Sequence, residues 1–142
     1  MKNLFKPLFF KILIGIFLLL MFSNCKSEAE PNYEDYHPED FLMVPGIVTK
    51  RTKTPIIGPW WNDYHIYYAY NLDSDTVSVG KEMDVNMAIS EGDGVYILVH
   101  KTEENLSFLA GLRIAPHEEE IIERYLKKSR ENGVKYFGIN EK

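Results

Sequence analysis

The sequence predicts a mainly β, α+β fold: a small, strongly bent antiparallel sheet or barrel of about five strands with one C-terminal helix. Three observations carry that expectation. From Met43 onward apolar and polar residues alternate with a period of two, and glycine-rich or Asx-rich turns interrupt the alternation at short intervals. Only after Pro116 does the period become helical.

Residues 1–24 read as a targeting segment outside that fold. Lys2, Lys6 and Lys11 lead into an apolar run, Ile12 to Phe22, and Ser23-Asn24-Cys25 follows. A basic n-region, a short h-region and a small or polar exit are what export machinery needs. Phe22-Ser23-Asn24-Cys25 resembles a bacterial lipobox, with Asn24 standing where Gly, Ala or Ser is usual. The resemblance implies a lipoprotein that is cut before Cys25, acylated there with palmitate-type chains, and held on a membrane of the cell envelope, facing the periplasm or exposed at the surface. Two other readings compete. A plain secretory signal would leave Cys25, the single cysteine, as an odd thiol in an oxidising compartment. A retained anchor needs about 20 apolar residues, more than Ile12 to Phe22 supplies.

Removing residues 1–24 takes away three lysines and no acid, so 13 Lys plus Arg then face 21 Asp plus Glu, a formal charge of −8 in place of −5. Such a chain repels phosphate backbones, and nucleic acid is not an expected partner. Residues 25–42 form the lipidated cysteine and an acidic tether. From Lys26 to Asp40 six acids stand against one lysine, with Pro31 and Pro38 among them, a composition that buries too little to offset chain entropy and is expected to be extended. Cys25-Lys26-Ser27-Glu28-Ala29-Glu30 also resembles the surface-export signals of some Bacteroidetes lipoproteins, against the plainer reading of a solvated spacer.

Residues 43–142 are the expected domain. Gly46 to Lys50 is its first strand. Asp63 to Leu72 is the second, with Tyr64, Ile66, Tyr68, Tyr70 and Leu72 on one face and His65, Tyr67, Ala69 and Asn71 on the other. Asn71 to Asp75 makes a hairpin loop. In Val77 to Ile89, Val77, Val79, Met83, Val85, Met87 and Ile89 share one parity and are expected inward, Thr76, Ser78, Gly80, Glu82, Asp84 and Asn86 outward. Lys81 breaches the pattern, and Gly80 beside it is the expected site of a bend or bulge. Glu91-Gly92-Asp93-Gly94 turns the chain into Val95 to Val99, a central strand, and Phe108 to Ile114 follows. After Pro116, Glu118 to Glu120 load the first helical turn, Lys127, Lys128 and Arg130 the last, and Gly133 caps it. The stripe Ile121, Ile122, Tyr125 and Leu126 is expected to cover an open barrel end, with Val134 to Ile139 returning as an edge strand. Gly46-Ile47-Val48, Ile66-Tyr67-Tyr68-Ala69-Tyr70 and Gly92-Asp93-Gly94-Val95-Tyr96-Ile97 together resemble small bacterial envelope β-domains of unknown function over residues 46–112. The resemblance implies a fold and carries no catalytic residue.

Candidate chemistry is sparse. Asn71, Asp73, Asp75 and Glu82 have calcium-loop spacing, but Thr76 takes the place of the required glycine and the flanks are strands, so a polar turn is expected and no metal. His37, His65, His100 and His117 are scattered without zinc-ligand spacing, and His117 lacks the second histidine of a metalloprotease helix, Ile121 standing there. No nucleophile elbow or phosphate loop is present, which argues against an enzyme and against any cofactor. Pro59-Trp60-Trp61, in the loop Thr52 to Asn62, is the expected partner-binding feature, because adjacent indoles cannot both easily enter a core and suit protein interfaces or sugar rings. Burial of one indole at a barrel end is the plainer alternative. The reading is a lipid-anchored, non-catalytic envelope module for a protein or glycan partner, against a small hydrolase using scattered acids or histidines, or a structural subunit of an envelope complex.

Overall fold

Five antiparallel strands form one curled sheet, a half-barrel, in the spatial order β3-β2-β1-β4-β5. They are β1 (Phe41–Lys53), β2 (Tyr64–Tyr70), β3 (Ser78–Val85), β4 (Gly94–His100) and β5 (Ser107–Arg113), and a single helix, α1 (Glu119–Glu131), follows. The computed structural model describes residues 31–54, 63–113 and 118–139, and the sheet and helix belong to a compact unit that begins at Tyr33. Residues 1–30, with the expected targeting segment and Cys25, therefore lie outside the described residues, as do Trp60, Trp61 and His117. No helix among the described residues is long and apolar enough to cross a membrane.

Three register shifts bend the sheet. One extra residue, Thr49, sits in β1 between its pairs with Tyr68 and Tyr67, and two β4 residues span four of β5 around Gly111, at φ 75°. The third lies between Glu82 and Val85, where β3 takes three steps against two in β2. Asp84 adopts φ 55° there, a left-handed conformation that a short Asx side chain tolerates. The bulge in β3 is thus at Met83-Asp84 and not at Gly80-Lys81.

That displacement reverses half of the expected burial. Between residues 78 and 82 the inward residues are Ser78, Gly80 and Glu82, paired with Tyr70, Tyr68 and Ile66, while Val79 and Met83 face out at 58% and 36% exposure. Beyond the bulge Val85 and Ile89 return to the core. Tyr68 is the physical reason. Its ring is buried directly over Gly80, where a Cβ would come within 2.3 Å of it, so only a glycine fits opposite.

The concave face buries Val48, Ile66, Tyr68, Tyr70, Val95, Ile97, Val99 and Leu109. The curl brings the edge strands β3 and β5 together without a backbone ladder. Side chains bridge them: Glu82 Oε2 accepts from Leu109 N–H at 2.7 Å, and the Tyr68 hydroxyl donates to Ser107 O at 2.9 Å. Tyr70 likewise donates to Glu104 O at 2.7 Å.

The helix covers the convex face and not a barrel end. Ile47 and Ala69 from β1 and β2, with Leu72 and Val77, form an apolar patch there that packs with Ile122, Tyr125 and Tyr136, so Leu72 does not share the face of Tyr70 and Ala69 is buried under the helix. A Schellman motif ends α1: Gly133, at φ 70°, donates to Arg130 O and Val134 to Ser129 O. Residues 134–139 form turns in place of an edge strand, because they are held to the helix. Phe137 N–H donates to Ser129 Oγ at 2.7 Å and Tyr125 to Phe137 O at 2.8 Å.

The acidic stretch expected to be extended is folded over its second half. Two 3-10 turns, Tyr33–Asp35 and Pro38–Asp40, lay Tyr33 and Tyr36 against Phe41, Phe108 and Leu98. Ring centroids lie 5.3 Å apart for Tyr33 and Phe41 and 5.9 Å for Tyr36 and Phe41, both edge to face. Two aromatic rings supply the burial that acid content had argued against.

A candidate binding groove on the convex face

Beside the helix, the convex face carries a groove. The bulge at Thr49 turns Lys50 to this face opposite Tyr67, and the reversed parity of β3 brings Val79 and Lys81 alongside. The Schellman turn delivers Lys135, Tyr136 and Ile139 to the opposite wall, and the β3–β4 turn contributes Glu91. The result is a groove of about 680 Å³, within the usual range for ligand sites.

Its charges are organised by contact. Lys135 Nζ lies 2.9 Å from Glu91 Oε2 and 5.3 Å from the centre of the Tyr136 ring. Lys50 Nζ lies 5.7 Å from the centre of the Tyr67 ring. Glu91 also accepts from Arg51 N–H at 3.2 Å, and these bonds, Lys135 foremost, hold its carboxyl below the usual range. It is ionised at neutral pH and poorly suited to general acid work. Burial pushes the Tyr136 hydroxyl upward.

The carboxylate with a raised pKa is elsewhere. Glu82 is pushed up by burial, against the lowering effect of the Leu109 N–H, but it faces the concave side and joins β3 to β5. Its environment has a structural explanation. Arg51 lies 3.5 Å over the Tyr64 ring; its Nε and His65 Nδ1 are buried with no hydrogen-bond partner among the described residues.

The calcium-like spacing does not converge. Asp73 meets Arg124 at 3.1 Å, Asp75 meets Lys128 at 2.9 Å, and Glu82 is turned to Leu109. Asn71, at φ 56°, instead accepts Ser74 N–H in a tight turn. Among the described residues no group of three His, Cys, Asp or Glu is placed to hold a metal ion. His100 sits in the aromatic cluster, 5.2 Å from Phe41, whereas His65 pairs with Thr52 near the other end of β1.

Trp60 and Trp61 lie outside the described residues, between Thr54 and Asp63, where Thr54 N–H donates to Asp63 O at 2.9 Å. Alternation in the sequence places Val79 in the core and so conceals the groove, whereas the structure exposes it. The signal was Lys81 itself: it shares the parity of Val79 and Met83, and a lysine marks the wet face more firmly than valine marks the dry one. No protein-family model, curated protein or solved structure matches the chain.

Proposed function

We propose that this chain is a lipid-anchored, non-catalytic module of the bacterial cell envelope that binds a protein or glycan partner. The observation that supports binding best is the convex-face groove, whose lysines, tyrosines and exposed Val79 surround a concavity with its carboxylate Glu91 already neutralised. Anchoring rests on the lipobox-like run ending at Cys25. Trp60 and Trp61 belong to the same proposal as partner-contacting residues, on the ground of their sequence alone.

Two measurements in the native host test this reading. Cys25→Ala should release the protein from membranes and abolish lipid labelling, and an unmodified thiol at residue 25 of the wild type would refute the anchor. A photo-cross-linking residue at Val79 should give a discrete adduct that the same residue at Leu42, 55% exposed near the start of β1, does not give. Equal yields at the two positions, or none at Val79, would refute the groove as the binding site.

A further inference from the structure

Asn105-Leu106-Ser107 is the one Asn-x-Ser or Asn-x-Thr run in the chain, and its middle residue is not proline, which makes it an acceptor signal for N-linked glycan transfer. Glu103 stands two residues ahead, where bacterial forms of that signal carry an acid. So short a run counts only where the fold presents it on a surface loop. Here it lies on the hairpin that joins β4 to β5.

The turn puts the acceptor amide in water. Leu106 N–H donates to Glu103 O at 2.8 Å, closing a four-residue turn with Asn105 in third place, and His100 N–H donates to Leu106 O at 3.0 Å beneath it. Tyr70 holds the turn from below through Glu104 O, at 2.7 Å. Glu103, Glu104 and Asn105 are exposed, whereas Leu106 is buried with Phe41 and Phe108. Buried neighbours thus fix the backbone while the Asn105 side chain stays at the surface. This tip is at the His100 end of β4, and the groove takes Glu91 from the turn before Gly94. The length of β4, about 20 Å at about 3.3 Å per residue, separates the two, so a glycan on the tip leaves the groove open.

Resting on the reading of residues 1–24 as an export signal, we propose that Asn105 carries an N-linked glycan. The donor is an oligosaccharide on a lipid pyrophosphate. Asn105 Nδ2 bonds to the anomeric carbon of the first sugar and gives up one proton, while the bond from that carbon to the pyrophosphate oxygen breaks and the lipid pyrophosphate leaves with its electron pair. In the folded chain Ser107 Oγ lies 3.3 Å from the Tyr68 hydroxyl, so the hydroxyl of the signal is engaged once β5 has docked. Transfer therefore belongs to export, before the hairpin closes.

The test is mass spectrometry of the full chain recovered from the envelope of its native host. The peptide spanning Asn105 should be heavier than its sequence by a sugar chain, and fragmentation should place the addition on Asn105. Asn105→Gln and Ser107→Ala should each abolish it, and Ser107→Thr should keep it. A bare Asn105 in protein that has reached the envelope would overturn the proposal and leave the export signal standing; a chain retained in the cytoplasm would overturn both. An addition that survives Ser107→Ala would overturn it as well. The wild-type measurement decides even where a variant fails to fold.

Discussion

Gly80→Ala should destabilise the domain sharply, although replacing glycine in a strand usually does the opposite. A methyl group at residue 80 would lie 2.3 and 2.6 Å from two atoms of the Tyr68 ring and 2.7 Å from Ser107 Oγ, where carbon contacts ordinarily settle at about 3.5 to 4.0 Å. Tyr68 cannot easily retreat, since its ring is wholly buried and its hydroxyl is bonded to Ser107 O. Relief requires β3 to move away from β2, or β5 to give up its contact. Overpacking of this kind costs about 1 to 3 kcal/mol, here at the upper end, against about 0.4 to 1 kcal/mol gained by stiffening the unfolded chain. The net loss of about 2 kcal/mol corresponds to a melting temperature lower by about 8 to 16 °C for a domain of this size. Thermal unfolding followed by circular dichroism reads it directly. In a Tyr68→Leu background, where the ring is gone, the same change should cost less than about 1 kcal/mol. An unchanged or raised melting temperature in the single variant would refute the close packing of Tyr68 on Gly80.

Glu82→Gln keeps an acceptor for Leu109 N–H and removes the ionisation that burial opposes. Because the folded-state pKa is raised, Glu82 contributes stability below the ordinary carboxylate pKa that is lost as pH rises through the folded value; the variant should flatten that fall in a pH series of melting temperatures, and an unaltered slope would count against it. Millimolar Ca²⁺ should leave the melting temperature unchanged, since Asp73 and Asp75 are turned to Arg124 and Lys128, whereas a ligand at 100 times its dissociation constant would add about 2.7 kcal/mol. Trp60→Ala with Trp61→Ala should weaken partner capture while leaving the fold stable, as surface changes do; a loss of about 3 to 5 kcal/mol per indole would place the pair in the core instead.

What could be read from the sequence divides along physical lines. Strands that keep one parity throughout were legible: Ile66, Tyr68 and Tyr70 are buried on one face, as their alternation requires. The helix was legible in its charge gradient and in Gly133, whose positive φ completes the cap. What failed is non-local. A bulge changes parity only by virtue of its partner strand, and the partner that decides β3 is Tyr68, ten or more residues away and needing a glycine beneath it. Helix placement failed for the same reason: Ile47 and Ala69 become one apolar patch only when β1 and β2 pair at that register. The aromatic cluster shows a different limit. Tyr33 and Tyr36 are two residues in an acidic run, and their burial depends on Phe41 and Phe108 meeting through β4.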